Sequence, residues 1–303
     1  MNKYIPYLIL IFAISVVSCT GRKTVNEHKL NLTVSIEPQR AILEEIAGDR
    51  ADVVTLLKGG ADPETYEPTF ASMMRLERND AYFMIGNVDF EKQLANRLTP
   101  EAVSRMVNCS EGVIPVKDTH SCAHHHHDEA DNDNESDEQP DPHTWSSVRN
   151  LRIMAGNMLA TLCQLDPDGK AYYTDRHDRL VSRLDSLDRS WTDILAPLKG
   201  KSFMMWHPAL SYFARDYNLD QHSVSAQHKE TTPAKLHEIL SMSDHDDMPL
   251  VFFTAKGLDP RVAATVISQL EIPVEEFDPL SYDWQRSMEN VVETLKRNND
   301  RNP

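Results

Sequence analysis

The sequence has few cysteines and little positive charge for its length. It contains 4 cysteines in 303 residues, and lysine and arginine total 31 against 47 acidic residues. With Cys19 set aside, the remaining three cysteines cannot all pair, which excludes a disulfide framework. A pair of Cys109 and Cys122 stays open, and Cys163, on an apolar helical stretch, is expected to be a small buried apolar residue. A net charge of −16 argues against nucleic-acid binding. Because many of the acids lie beside histidines, this charge favours the binding of cations instead.

Signatures of hydrolytic enzymes are also missing. The sequence has no His-Glu-x-x-His motif and no nucleophile elbow. A zinc enzyme would also need an open coordination position and a general base. We therefore expect no enzymatic activity, with a secreted zinc hydrolase as the alternative that turnover measurements would detect.

The N-terminus carries an apolar run that is too short to cross a membrane. Residues 4–17 form about 14 nearly uninterrupted apolar positions, whereas a spanning helix needs about 20. The run ends in Val16-Val17-Ser18-Cys19, which resembles the lipobox of bacterial lipoproteins. We interpret residues 1–18 as a signal peptide and Cys19 as the acylated mature N-terminus, with a plain signal peptide as the alternative. The protein is then exported and anchored by membrane lipid, facing the periplasm or the cell exterior.

Strand and helix patterns alternate through the rest of the chain, which predicts an α/β fold with parallel βαβ units. A tether at 19–29 precedes an N-terminal lobe at 30–148, a helical region at 149–198 and a C-terminal lobe at 199–303. Within residues 169–198, apolar side chains recur along one helical stripe about 40 Å long. We interpret this helix as a strut that joins two lobes with parallel sheets, rather than as a surface helix of one lobe. The segments predicted as strands are residues 30–36, 51–57, 81–85, 202–206, 221–225, 249–254 and 273–277.

Four side chains lie in loops or at strand ends, where open α/β sheets bind ligands. Glu64 lies in a turn-rich loop after the second strand, with Glu67 as its competitor. His143 precedes a helix, while His207 and Asp278 each close a strand and are followed by proline. Two imidazoles and two carboxylates can fill a four-coordinate site for a divalent metal in the cleft between the lobes. Each residue alone has an ordinary explanation, since a histidine at a strand end is more often a plain polar residue.

Several segments together resemble the metal-binding lipoproteins of zinc and manganese ABC transporters, the cluster A-I solute-binding family. They cover essentially the whole mature chain in the order of that family. The resemblance implies two α/β lobes joined by one long helix, an ion held between the lobes, a monomer, and an ABC permease with its ATPase as partners. The segments are GGADPETYEPT, IGNVDFE, the histidine-acid loop, DPHTW, WHPALSYFARDYNL, KETTPAKL and EFDPLS.

The family's four ligand positions fall on Glu64, His143, His207 and Asp278. The sequence departs from the family at Pro63-Glu64, where proline–histidine is common, so the first ligand here is an oxygen donor. It also departs in residues 253–257, Phe-Thr-Ala-Lys-Gly, where the family is acidic, and in Ser146-Ser147, where Asp-Pro is usual.

The choice of metal depends on the ligand types and on a histidine-rich segment at 117–141. Zinc binds such sites more tightly than manganese or ferrous iron, and two carboxylates reduce this advantage without reversing it. Neutral imidazoles suit Zn²⁺, so we interpret the clustered histidines as a loose collector of zinc beside the cleft, the alternative being a solvated loop without a role. A manganese or ferrous iron receptor, and a surface metal buffer or adhesin, stay open as alternatives. The clustered histidines are His120, His124, His125, His126 and His127.

Overall fold

The structure is a computed structural model that describes residues 29–57, 66–116, 140–224, 248–256, 267–268 and 272–301. Its first half contains a parallel sheet with strand order β2-β1-β3-β4. All four strands run in one direction, so their carboxyl ends share one edge. The strands are β1 (Leu30–Val34), β2 (Ala51–Thr55), β3 (Ala81–Met84) and β4 (Met106–Asn108).

Helices connect these strands and cover the sheet. The longest of them, α1, presents Ile42, Leu43 and Ile46 to the core, where all three are buried. The described helices of this lobe are α1 (Glu37–Ala47), α2 (Phe70–Leu76), α3 (Asp89–Ala95) and α4 (Pro100–Val103).

Two antiparallel helices follow, α5 (Val148–Leu165) and α6 (Lys170–Leu195), and they pack on each other. With 26 residues, α6 is about 39 Å long. Its first half contacts α1, where Arg176 donates from Nε to the carbonyl oxygen of Glu45 at 2.7 Å. The buried residues of α6 are Tyr173, Leu180, Leu184, Trp191 and Leu195.

The second half of the chain contains another parallel sheet, of order β6-β5-β7-β8. Near the end of α6, the Trp191 ring packs 6.3 Å from both Phe213 and Tyr217 of this lobe. Because α6 packs on both lobes, its interpretation as a strut is confirmed. The elements are β5 (Ser202–Met205), α7 (Ser211–Tyr217), β6 (Asp220–Ser223), β7 (Phe252–Ala255), β8 (Val274–Phe277) and α8 (Trp284–Asn299).

The predicted α/β class with two parallel sheets is confirmed, but the bounds of the strands differ. The observed strands are shorter, and β7 begins at Phe252 where the apolar run predicted Pro249. The fourth strand of the first sheet was not predicted, because three half-buried residues are too few to show an alternating pattern. In the described ranges, no helix combines the length and hydropathy needed to cross a bilayer.

Of the cysteines, Cys109 and Cys163 lie within the described residues, and both are free thiols. Cys109 is fully buried, and burial raises the pKa of its thiol. Cys163 is half-buried on α5 and packs against the core, close to its predicted role as a small apolar residue. Cys122, the other member of the pairing considered with Cys109, lies outside the described residues.

One carboxyl group is buried at the carboxyl edge of the first sheet. Glu91 accepts hydrogen bonds from the backbone N–H groups of Ile85 at 2.7 Å and Gly86 at 2.8 Å, and from the Ser35 hydroxyl. Glu91 is buried, with 2% of the residue exposed. Burial raises the pKa of this carboxyl to about 7, although the hydrogen bonds act in the opposite direction.

We expect Glu91 to make the protein less stable as the pH rises. The folded state retains a proton on Glu91 that the unfolded chain releases near pH 4.5, so the free energy of unfolding falls until the pH passes about 7. Between pH 5 and 8, the free energy of unfolding of the wild type should fall by about 2–3 kcal/mol more than that of Glu91→Gln, whose side chain does not titrate. Urea unfolding of both proteins at the two pH values measures this difference. Equal pH dependence of the two would contradict it.

Candidate metal site between the lobes

His143 is held by the residue two positions before it. Its Nδ1 lies 2.8 Å from Oδ1 of Asp141, and its backbone N–H donates to the same oxygen at 2.7 Å. Both residues are buried, with 0% exposure for Asp141 and 4% for His143. Burial alone would raise the pKa of the Asp141 carboxyl, but the interaction with His143 holds that pKa below its usual value. With Nδ1 donating to the carboxylate, Nε2 of His143 is the nitrogen with a lone pair for a metal.

The imidazoles of His143 and His207 meet in the cleft. Their ring centroids are 5.2 Å apart at an interplanar angle of 66°. His207 follows β5 of the second sheet, whereas His143 lies between the first sheet and α5. The Trp145 ring also packs on His143, at 5.1 Å between centroids. Of the predicted site residues, these two histidines are brought together.

Contacts from the second lobe position the His143 segment. The Tyr212 hydroxyl, on α7, donates to the carbonyl oxygen of Asp141 at 2.8 Å. Ser147, which caps the first turn of α5, donates its hydroxyl to the carboxylate of Asp216, also on α7. The histidine therefore depends on both lobes for its position.

Asp278 lies directly after β8, in a turn beside the same segment. Trp145 donates from Nε1 to the carbonyl oxygen of Pro279 at 2.8 Å. Within the turn, Oδ1 of Asp278 accepts the N–H of Leu280 at 3.0 Å, and Oδ2 lies 3.2 Å from Nζ of Lys256. Both oxygens of the Asp278 carboxylate therefore have partners within the protein.

The Asp278 turn is also attached to the first lobe through Tyr282. Its hydroxyl donates to Oε2 of Glu44 on α1 at 2.6 Å, and the Arg40 guanidinium lies 4.8 Å from its ring centroid. The hydrogen bond to Glu44 is the main reason that the pKa of Tyr282 is raised. These contacts keep the turn at the boundary between the lobes.

Several of the predicted residues lie outside the part of the chain that the structure describes. Glu64, Cys19, His120 and His124 to His127 lie outside the described residues. Glu67, the competitor of Glu64, is described and exposed. Among the side chains that the structure describes, no three His, Cys, Asp or Glu residues are close enough to hold one ion. The full set of Glu64, His143, His207 and Asp278 therefore stays a prediction.

Two contacts of the predicted site residues were missed in the sequence. Asp141 was visible in the Asp-Pro-His motif, but we assigned it no role there, although an acid close to a ligand histidine is the signal for an orienting partner. Lys256 was noted only as part of a segment that departs from an acidic pattern. Its pairing with Asp278 follows from the register of β7 and β8, in which Ala255 lies opposite Phe277.

Comparisons with known proteins agree with this architecture. A family model described as zinc-uptake complex component A, periplasmic (ZnuA), matches residues 32–298. The chain is 25% identical to the zinc-binding lipoprotein AdcA of Streptococcus pneumoniae R6, over 98% of this chain and 60% of the relative. It thus spans about 60% of the length of this relative. It is 23% identical to the high-affinity zinc uptake system protein ZnuA of Bacillus subtilis 168, over 96% and 92% of the two chains.

Solved structures show the same fold. A crystal structure of ZnuA has a TM-score of 0.76 at 26% identity, covering 89% of this chain and 98% of that one. A ZnuA deletion mutant with zinc bound has a TM-score of 0.76 at 27% identity, covering 88% and 97%. The laminin-binding protein Lmb of Streptococcus agalactiae, described as having adhesin and metal-transporting activity, has a TM-score of 0.74 at 20% identity, covering 88% and 99%. At that identity the likeness shows the fold alone.

We expect Asp141→Asn to weaken metal binding without unfolding the protein. The amide can no longer act as an anionic acceptor for Nδ1 of His143, so the ring loses its fixed orientation. Losses of about 10- to 100-fold in affinity are typical for such partners. Zinc titration against a chromophoric chelator measures the change, and Asp220→Asn, an exposed aspartate of β6, is the matched control. Equal affinities of a folded Asp141→Asn protein and the wild type would contradict a role for Asp141.

Proposed function

Because the chain belongs to the ZnuA family of periplasmic zinc-uptake components, we propose that it is the zinc receptor of an ABC importer. It captures Zn²⁺ outside the inner membrane and delivers the ion to a permease that works with an ATPase. The observation that carries this proposal is the meeting of His143 and His207, 5.2 Å apart between ring centroids, in the cleft between the lobes. Borderline nitrogen ligands of this kind favour zinc.

The proposed ligands are Glu64, His143, His207 and Asp278. Four protein ligands saturate a tetrahedral zinc ion and leave no open position for a water molecule. A saturated ion suits carriage rather than catalysis, because zinc hydrolysis needs a bound water. The proposal therefore includes the absence of hydrolytic activity.

The partners follow from the same proposal. Acylation of Cys19 would anchor the protein to a membrane surface facing the periplasm or the cell exterior, where it meets the permease as a monomer. A manganese receptor of the same type is the main alternative, since two of the four proposed ligands are carboxylates, which Mn²⁺ accepts well. A surface metal buffer or adhesin is the other alternative.

We expect His143→Ala and His207→Ala each to abolish tight zinc binding. Each change removes a ligand, so the loss should exceed the roughly 10- to 100-fold that losing an orienting partner costs. Glu64→Gln should weaken binding strongly, whereas Glu67→Gln should behave as the wild type. Competition titrations with Zn²⁺ and Mn²⁺ measure all four variants. Retention of tight zinc binding in both histidine variants would contradict the proposed site, and a loss confined to Glu67→Gln would reassign the first ligand.

We expect deletion of residues 120–139 to leave the tight site intact. The histidines of this segment would bind Zn²⁺ loosely, so their removal should lower the number of weak sites without changing the tight dissociation constant. Calorimetric titration resolves the two classes of site. An equal loss of the tight site in the deletion variant would contradict the division between collecting and binding histidines.

A further inference from the structure

The carboxylate of Asp278 is already paired with a cation of the chain itself. Nζ of Lys256 lies 3.2 Å from Oδ2 of Asp278, and the side chains are 64% and 30% exposed. Lys256 follows β7 and Asp278 follows the neighbouring strand β8. The backbone N–H of Lys256 donates to the carbonyl oxygen of Phe277 at 3.2 Å, which continues the ladder and fixes the two residues side by side.

The turn that carries Asp278 lies beside the segment that carries His143. The Asp278 turn is held beside the histidines by the hydrogen bond from Trp145 to Pro279. Even so, Asp278 does not form a three-residue metal group with His143 and His207, each of which lies within the described ranges. Its Oδ1 accepts the N–H of Leu280 and its Oδ2 faces the ammonium of Lys256.

We propose that Lys256 is a tethered competitor for the metal, which occupies Asp278 in the metal-free receptor and must be displaced when the ion binds. The inference rests on the proposed function, since it takes Asp278 as a metal ligand. A dication at Oδ2 and an ammonium 3.2 Å from that oxygen would repel each other. Binding of the ion therefore includes breaking the Lys256–Asp278 pair and moving the lysine into water.

The competition acts more strongly against metals that depend on oxygen ligands. Mn²⁺ prefers carboxylate and water ligands, whereas Zn²⁺ binds imidazole well. When Lys256 reduces the availability of Asp278, a zinc ion still has the nitrogens of His143 and His207. A manganese ion loses a larger share of its binding energy. Lys256 is thus a specificity-determining residue that disfavours manganese.

The test compares Lys256→Gln, Lys256→Arg and a matched control in the full-length protein. The control is Lys199→Gln, which removes the same charge from an exposed lysine before β5, at the amino edge of the second sheet. Lys256→Gln should bind Zn²⁺ roughly 2- to 5-fold more tightly, the range expected when an exposed ion pair no longer has to be broken. The gain for Mn²⁺ should be larger, so that the ratio of zinc to manganese affinity falls. Lys256→Arg and Lys199→Gln should resemble the wild type.

Ionic strength and a second substitution separate this role from a structural one. The gain in Lys256→Gln should shrink as salt rises, because screening weakens an exposed charge interaction. In the Asp278→Asn background, adding Lys256→Gln should change zinc affinity by less than about 2-fold, because the coupling requires both residues. An undiminished gain in that background would overturn the proposed exchange.

The failure of this inference can be told apart from failure of the receptor proposal. If tight zinc binding depends on His143 but Lys256→Gln matches the wild type for both metals, the competitor role is wrong and the receptor stands. If His143→Ala and His207→Ala both retain tight binding, the receptor proposal itself is wrong. A gain for Zn²⁺ equal to that for Mn²⁺ would overturn the role in specificity.

Discussion

The position of His143 depends on the buried carboxylate of Asp141, and the meeting of His143 with His207 in the cleft depends on that position. A buried carboxylate is costly unless it is hydrogen-bonded, and here His143 supplies two donors to one of its oxygens. The carbonyl oxygen of the same residue accepts from Tyr212 of the second lobe. The orientation of a first-lobe imidazole is therefore fixed partly by the second lobe. Large separation of the lobes would break this arrangement and desolvated groups would lose their partners.

Packing of α6 on both lobes restricts motion further. Arg176 binds the carbonyl of Glu45 in the first lobe, while Trp191 packs on Phe213 and Tyr217 in the second. Any change that accompanies metal binding must then be concentrated in the turns at the carboxyl ends of the strands. The Asp278 turn is such a segment, and it contacts the first lobe through the exposed Tyr282 as well as through the buried Trp145.

Periodic features of the fold could be predicted from the sequence, whereas features that depend on register could not. The α6 stripe and seven strands were found from the sequence with small errors in their bounds. The strand β4 has only three residues, so it carries no period. The role of Asp141 was hidden because Asp-Pro is also an ordinary way to begin a turn. The pair of Lys256 and Asp278 is 22 residues apart in sequence, and only the β7–β8 register brings it together.

The proposed competition between Lys256 and the metal for Asp278 also bears on the release of the ion. A receptor that binds its ion too tightly cannot deliver it, since the slow step becomes dissociation. When Lys256 pairs with Asp278, the empty state is stabilised and the ligand is already neutralised when the ion leaves. In the proposed exchange, capture and release replace one cation with another at Asp278, and the imidazoles of His143 and His207 favour an ion that accepts nitrogen.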